Sequence, residues 1–234
     1  MLRSALVLLA VALAPLASAQ PATPSGREVV EAWADGWRRA MAGVDRIEAE
    51  ERAEHTFDGP RRRTTIQIEG RATLGPGRPG RRPRHTRIDG RALDPEDAPR
   101  AVGRWVQAFG PAGREVGAPP PLPAALLMNA RVGDLRAETY DGQAAWRVDL
   151  SAREDRIRAW FTRSASDPRL LAVRVEGERP RGGRIVREVR YARVRGLDLP
   201  TESRTTFTVR QRRRLRAYVV TLSASGSYSD FSLR

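Results

Sequence analysis

Residue types that perform enzyme chemistry are scarce in this chain of 234 residues. It contains no cysteine and two histidines, His55 and His85, neither of which has carboxylates clustered around it in the sequence. The lack of cysteine excludes disulfides, thiolate nucleophiles and cysteine-bound metals. Serine-hydrolase, zinc-protease, phosphate-loop and dinucleotide-binding motifs are also missing. We therefore expect a protein that is not an enzyme and has no catalytic residues, metal or cofactor.

Arginine is the conspicuous charged residue. The formal net charge is +14, and all 42 of the cationic side chains are arginines. Guanidinium groups suit phosphates and carboxylates, and basic stretches occur at Arg61–Arg63, Arg78–Arg87 and Gln211–Arg214. Three interpretations stay open: contact with an anionic membrane surface, docking on an acidic protein partner, or solvated turns in an arginine-rich chain.

The N-terminus has the three-part pattern of a secretory signal peptide. Arg3 precedes the apolar run Ala5–Leu16, and the small residues Ala17–Ala19 follow. Such a run spans about 18 Å as a helix, well short of the roughly 30 Å hydrocarbon core of a membrane. We therefore expect cleavage of residues 1–19, a polar leader over 20–26, and a periplasmic mature chain without a transmembrane segment. Export argues against nucleic acid as a partner.

The elements that would position a site begin with a helix. Ser25 and Glu28 form a capping-box pattern, and apolar residues then recur at spacings of three and four as far as Val44, which predicts an amphipathic helix over 27–42. Beyond it, the period changes to two, which is typical of an antiparallel sheet with one wet face. We predict strands at Ile47–Phe57, Thr64–Leu74 and His85–Leu93, with a loop at Gly75–Pro83.

The middle of the chain has a different character. Helical spacing in Pro95–Phe109 and the apolar run Ala124–Ala130 predict two helices, joined by the proline-rich connection Gly110–Pro123. Strand patterns then return, and Asp141-Gly142 is a hairpin signal. About ten or eleven strands therefore flank a helical insert, in one α+β domain over 27–234. The later predicted strands are Leu135–Tyr140, Ala144–Leu150, Asp155–Arg163, Leu170–Gly177, Ile185–Val194, Glu202–Arg212, Leu215–Ser223 and Ser227–Leu233.

The late strands resemble a known family. Tyr191 lies in a strand that runs into Val194-Arg-Gly-Leu-Asp-Leu-Pro200, and a strand over Trp146–Leu150 follows the Asp141-Gly142 hairpin signal. Both patterns are similar to periplasmic lipoprotein-carrier proteins of the LolA/LolB type. The resemblance implies a strongly curved antiparallel sheet, an incomplete β-barrel, wrapped around the N-terminal helix and a central helical lid.

The same resemblance implies a function. Family carriers hold lipoprotein acyl chains between sheet and lid, and pass them from an inner-membrane releasing complex to an outer-membrane receptor. The receptor type is anchored through a lipidated cysteine, which this chain lacks, so the resemblance places the chain with the soluble carriers. We expect a monomer that binds lipoprotein acyl chains or other lipids.

A carrier of this type needs an apolar cavity rather than catalytic groups. Each buried methylene contributes about 0.8 kcal/mol, so one acyl chain supplies on the order of 10 kcal/mol before ordering costs. The same side chains could instead fill an ordinary core. The candidate cavity-lining residues come from the predicted strands and the helical insert: Ile66, Ile68, Leu74, Trp105, Phe109, Leu126, Leu127, Met128, Trp146, Val148, Leu150, Phe161, Val173 and Val175.

Two further expectations concern the lid and the alternatives to carriage. In family carriers an arginine on an early strand holds the lid shut by bonding to helix backbone, and by resemblance Arg63 or Arg71 is the candidate for this latch. The first alternative function is a non-enzymatic interaction or sensor module of the envelope, which contacts a protein partner through its basic surface. A small exported hydrolase is the other alternative.

Overall fold

The computed structural model describes residues 23–60, 62–75, 80–108, 110–164, 166–179, 182–213 and 216–234. The predicted signal peptide and Phe109 lie outside the described residues, and so does the side chain of Trp105. Among the helices of the described ranges, none has the length and apolar character needed to cross a membrane.

Eleven antiparallel strands form one sheet that covers most of the chain. Their order across the sheet is β4-β3-β2-β1-β11-β10-β9-β8-β7-β6-β5, so β4 and β5 are its edges and it is not closed into a barrel. The strands are β1 Ile47–Asp58, β2 Arg63–Gly75, β3 Gly80–Ile88, β4 Arg91–Leu93, β5 Arg131–Tyr140, β6 Gln143–Ala152, β7 Asp155–Thr162, β8 Leu170–Arg179, β9 Gly183–Val194, β10 Leu197–Arg213 and β11 Arg216–Leu233. The predicted strand number is confirmed, and the fold is mostly β.

Four helices accompany the sheet: α1 Gly26–Met41, α2 Ala98–Ala108, α3 Gly110–Gly117 and α4 Pro123–Leu127. Helix α1 begins as predicted, because the Ser25 hydroxyl accepts from the Glu28 backbone N–H while the Glu28 carboxylate accepts from the Ser25 N–H. These bonds satisfy two N–H groups that the first helical turn would leave unpaired. Trp33 and Trp37 of α1 lie in the core, and Trp33 makes an edge contact with Phe161 of β7 at 6.1 Å between ring centroids.

Several predicted boundaries were wrong. The predicted strand His85–Leu93 is a hairpin of β3 and β4, turned at Asp89-Gly90 with φ of 49° and 81°. Asp141-Gly142 shows nearly the same pair of angles, so that predicted hairpin is confirmed. Such positive φ values suit two-residue turns between twisted antiparallel strands.

Further differences arise where residue composition misled the prediction. The predicted loop Gly75–Pro83 contributes the start of β3, because Pro83 sits beside a register shift, where the missing N–H costs least. The predicted connection Gly110–Pro123 contains α3 despite its glycines. The two predicted C-terminal strands are the single strand β11, which pairs with β1 and β10.

One face of the sheet, here called the inner face, packs against α1. Its core joins Val29 and Trp33 of α1 to side chains such as Val148 of β6 and Val189 of β9. A smaller apolar cluster on the inner face surrounds Val116 of α3 and consists of Ile185, Phe207 and Leu222. The opposite face, here called the outer face, carries mainly polar side chains and one apolar cluster of Ala145, Trp160 and Ala172.

Candidate functional site

Most predicted cavity-lining residues lie in the packed core around α1. Seven of them belong to the cluster that contains Trp33, and Val148 and Phe161 are fully buried. Trp146 and Leu126 pack at the margin of this cluster, whereas Met128 is 39% exposed. Ile66 and Ile68 are buried on β2. The seven members are Leu74, Leu127, Val148, Leu150, Phe161, Val173 and Val175. In the described structure these side chains pack against α1.

A buried polar cluster interrupts the apolar inner face. Glu51 of β1 binds Arg81 of β3 through two hydrogen bonds, from Nε to Oε2 at 2.6 Å and from Nη2 to Oε1 at 2.7 Å. The Tyr228 hydroxyl of β11 donates to Glu51 Oε1 at 3.0 Å. Arg81 also lies 3.3 Å from Nε2 of His55 and donates to the backbone carbonyl of Gly117. The guanidinium of Arg81 thereby connects two strands to the end of α3.

Burial fixes the charge states in this cluster. Desolvation, reinforced by the positive charge of Arg81, lowers the pKa of His55 to about 3, so the imidazole is neutral at pH 7. Burial works against the charge of Arg81, but the hydrogen bonds and charge of Glu51 outweigh it and raise the pKa of Arg81. Burial, together with the Glu51 carboxylate, raises the pKa of Tyr228. The cluster therefore holds one ion pair and two neutral side chains.

A second set of arginines holds the last turn of α3. The Glu115 carboxylate accepts from Arg179 of β8 through both oxygens, at 2.7 and 3.0 Å. Arg179 also donates to Asp155 of β7 at 2.7 Å. Arg187 of β9 donates to the backbone carbonyl of Glu115 at 2.6 Å and to Thr205 Oγ1 at 3.1 Å. We call this arrangement of Glu115, Arg179 and Arg187 the α3 clasp.

Electrostatics of the α3 clasp follow from its partial burial. The hydrogen bond from Arg179 holds the pKa of Glu115 below its ordinary value. Burial lowers the pKa of Arg187, and nearby Glu115 opposes that shift. Arg179 and Glu115 remain 23% and 32% exposed, so water reaches the ion pair.

Asp198 of β10 joins four elements near the middle of α1. This carboxylate is 1% exposed and accepts from Trp33 Nε1 of α1 at 2.9 Å, from the backbone N–H of Leu170 of β8 at 3.0 Å and from Arg193 Nε of β9 at 3.0 Å. Every contact satisfies a buried polar atom, as burial of a carboxylate requires. Asp198 therefore fixes α1 against the sheet rather than forming an open site.

The outer face carries a groove with a volume of about 880 Å³. Exposed side chains of alternate residues form its walls, including Arg52 and Glu54 of β1, which flank the buried Ala53. Arg87 and Arg204 contribute from β3 and β10. A second cavity of about 460 Å³ shares Arg52 with it and continues towards Asp230. The groove thus crosses six neighbouring strands, from β4 to β10.

Charged side chains in the groove are only partly paired. Within the described part of the chain, Arg52, Arg87 and Arg204 form no ion pair, whereas Arg84 is paired with Glu50. Glu54 accepts from Gln67 at 3.1 Å. The registers place Arg52 opposite Ser227 and Arg204 opposite Ser225, so small hydroxyl side chains of β11 separate the arginines. The groove offers three guanidinium groups that form no ion pair in the described structure, beside the serines of β11 and the glutamates Glu54, Glu69 and Glu202.

The two arginines predicted as latch candidates lie elsewhere. Arg71 donates to Glu50 at 3.0 Å, and Arg63 is exposed at the start of β2. The described arginine contacts to the backbone of α3 come from Arg81 and Arg187 instead. Neither Arg81 nor Arg187 was predicted as a functional residue from the sequence, although the residue pattern of β9 indicates Arg187. It interrupts the apolar alternation of Ile185, Val189 and Tyr191 on the inner face, and a charge at such a position needs a partner.

Comparison with known proteins leaves the family open. No family model matches the chain, and no curated protein matches it. A solved DUF1329 family protein from Desulfovibrio piger is 10% identical, with 89% of this chain and 92% of that chain covered, at a TM-score of 0.36. MucB in complex with MucA(peri) is 8% identical, with 89% and 99% covered, at a TM-score of 0.22. The MucA/MucB complex of Pseudomonas aeruginosa is 9% identical, with 88% and 99% covered, at a TM-score of 0.22. Similarities this weak support no inference about activity.

Proposed function

We propose that this chain is a non-enzymatic binding module of the cell envelope, which docks an acidic, extended segment of a partner protein in the groove of the outer face. The observation that carries this proposal is the set of unpaired arginines in the groove, Arg52, Arg87 and Arg204. Exposed guanidinium groups without carboxylate partners are suited to forked hydrogen bonds with carboxylates.

The shape of the groove favours an extended segment. Beyond Ala92 and Leu93 of β4, its walls are cross-strand neighbours on β3, β2, β1, β11 and β10, so a chain lying across these five strands would meet a charged or hydroxyl side chain at each of them. Neighbouring strands are about 4.8 Å apart. This spacing lies between the length of one residue and the length of two residues of an extended chain. The serines of β11 leave room at the centre, because their side chains are small.

Charge reversal tests this proposal. We expect the triple variant Arg52→Glu, Arg87→Glu, Arg204→Glu to bind a fluorescently labelled deca-glutamate peptide about tenfold or more weakly than the unaltered protein, since three attractive contacts become repulsive. Fluorescence anisotropy at low and at physiological salt measures the dissociation constant, and salt should weaken binding by the unaltered protein.

A matched control separates the groove from overall charge. Arg27, Arg169 and Arg195 are exposed, form no ion pair in the described structure and lie outside the groove. Changing these three to glutamate alters the net charge equally and should leave most of the binding intact. An equal loss in both triple variants would reject the groove as the binding site.

Acyl-chain carriage is a second candidate, and the way the helical insert is held favours it. At its C-terminal end, α3 is fixed by polar contacts from Arg81, Arg179 and Arg187 and by one small apolar cluster around Val116. Few apolar contacts hold α3 at this end, so α2 and α3 could move off the inner face as a cover. An inner-membrane releasing complex and an outer-membrane receptor would then be partners.

Native mass spectrometry tests carriage. If the protein carries acyl chains, protein purified from a bacterial periplasm should show an adduct with the mass of a lipid or acylated peptide, and Arg81→Ala should change its occupancy by loosening the cover. Arg71→Ala, which alters an exposed ion pair of β2, should leave occupancy unchanged. A single adduct-free species under gentle desolvation contradicts carriage and leaves the groove proposal untouched.

A further inference from the structure

The α3 clasp resembles an anion-binding site in which the bound anion is a carboxylate of the same chain, that of Glu115. Arg179 grips the Glu115 carboxylate as a fork, with both oxygens engaged. That geometry is the one by which guanidinium groups bind external carboxylates and phosphates. Arg187 adds a second positive charge to the same turn through the carbonyl of Glu115.

Charges around the clasp balance only while Glu115 is in place. Asp155 neutralises Arg179 on its other side. For Arg187, the described hydrogen bonds go to a carbonyl and a hydroxyl oxygen, both uncharged, so Glu115 is its nearby compensating charge. Without the Glu115 carboxylate, the site keeps Arg179, Arg187 and Asp155 and has a net charge of one positive unit. An exposed fraction of 23% at Arg179 gives a small anion access.

The helix that supplies this carboxylate has little stability of its own. Helix α3 has eight residues, and its sequence GPAGREVG contains three glycines and a proline. Each interior glycine costs about 1 kcal/mol relative to alanine, and isolated helices of this length are marginal in water. Its order therefore depends on the contacts of Glu115, Val116 and Gly117 with the sheet.

We propose that the last turn of α3 is an internal competitor for an oxyanion site formed by Arg179 and Arg187, and that a carboxylate- or phosphate-bearing ligand displaces Glu115 from it. Displacement removes the ion pair that holds α3 and exposes the inner face beneath the helix. The site lies on the inner face and is independent of the outer-face groove.

Removing the competitor gives the first test. Glu115→Gln keeps the shape of the side chain and loses its charge. We expect this variant to bind inorganic phosphate about tenfold more tightly than the unaltered protein, as measured by isothermal titration calorimetry, within the usual range of coupling between competing sites. Adding Arg187→Gln to Glu115→Gln should abolish the gain. Equal affinity of Glu115→Gln and the unaltered protein, or a gain that survives Arg187→Gln, overturns the proposal.

The outer face offers a matched control. Arg147 of β6 is bound by two carboxylates, Glu138 and Asp149, just as Arg179 is bound by Glu115 and Asp155. Glu138→Gln removes one of them, and the neighbouring Arg136 has a carboxylate partner of its own in Asp134, unlike Arg187. This substitution should therefore leave phosphate affinity unchanged, and a gain equal to that of Glu115→Gln would show that any broken arginine pair binds phosphate and overturn the proposal.

Hydrogen exchange on the unaltered protein tests displacement without any substitution. Saturating phosphate or phosphatidylglycerol vesicles should speed amide exchange at residues 113–117 and leave the central strands β1 and β11 unchanged, whereas protection of α3 that neither of them alters overturns the proposal. Separate titrations with sodium phosphate, phosphatidylglycerol vesicles and phosphatidylcholine vesicles identify the source of the anion. A response to phosphate assigns a free anion, and a response to phosphatidylglycerol alone assigns a lipid headgroup. No response, or an equal response to phosphatidylcholine, overturns the proposal.

Discussion

At the scale of single residues, function and stability depend on charges placed where the sheet is otherwise apolar. His55 is 2% exposed and lies beside Arg81 on the inner face. Burial and the neighbouring guanidinium depress its pKa to about 3. The folded protein therefore resists protonation of this imidazole over several pH units in which the unfolded chain accepts a proton.

His55 gives a pH prediction. The pKa is 6.5 in the reference state and about 3 in the folded protein, so the unfolded chain binds more protons between these values and stability falls as the pH falls. We expect a slope of up to about 1.4 kcal/mol per pH unit from this residue below pH 6. Urea unfolding between pH 6.5 and 5.0 measures it, above the range in which most carboxylates titrate. His55→Gln should flatten the slope, whereas His85→Gln, at an exposed position, should preserve it. An unchanged slope in His55→Gln would exclude His55 as its source.

At the scale of elements, strand β1 shows how one segment serves both faces. Glu50 is on the outer face and pairs with Arg71 at 3.0 Å, while its neighbour Glu51 is on the inner face and pairs with Arg81. Consecutive side chains of a strand point to opposite sides of the sheet. Glu50 therefore lies on the solvent side of the sheet and Glu51 in the interior. We expect their ion pairs to contribute very different amounts to the free energy of unfolding.

A comparison of these two neighbours tests that difference. Glu51→Ala leaves Arg81 charged and buried, so we expect a loss of about 3–5 kcal/mol in the free energy of unfolding. Glu50→Ala breaks partly exposed pairs with Arg71 and Arg84 and should cost about 0–1 kcal/mol. Urea denaturation of both variants at pH 7 measures the values. Similar losses in the two variants would contradict the assignment of Glu51 to a buried cluster that connects β1, β3 and α3.

At the scale of the whole molecule, the two faces of one open sheet have separate roles. The inner face packs α1 over an apolar core at one end and holds α3 by arginines at the other. The outer face presents the groove, with three arginines that form no ion pair in the described structure. Because the faces are separated by the sheet itself, binding in the groove and release of α3 can be altered by different substitutions. A substitution in the groove should therefore leave α3 in place, and a substitution in the α3 clasp should leave binding in the groove unchanged.

The net charge of +14 is distributed unevenly between paired and unpaired arginines. Many arginines form ion pairs, such as Arg174 and Arg184, which both bind Glu176. In the groove, Arg84 is paired with Glu50, whereas Arg52, Arg87 and Arg204 form no ion pair in the described structure. Composition alone could not separate these two populations, since pairing depends on strand register.

Local patterns in the sequence determined the elements of this protein. The capping box at Ser25 and Glu28, the alternation in β2 and the Asp141-Gly142 turn act over a few residues, and the structure confirms each of them. The strand number agrees because the split of the predicted strand His85–Leu93 is offset by the merger of the last two predicted strands into β11. The split of His85–Leu93 into β3 and β4 was missed because Asp89-Gly90 was interpreted as part of a strand rather than as a turn.

The tertiary structure alone decided the site. Arg81 meets Gly117 across 36 residues, and Arg187 meets Glu115 across 72. Such contacts depend on strand order and on where α3 lies over the sheet, and neither is encoded in a local pattern. Alternating apolar residues suit a cavity wall and a packed core equally well, so only the position of α1 decided that Val148 and Phe161 pack in a core. Local periodicity specifies which face a side chain occupies, whereas its partners depend on chain segments that are distant in sequence.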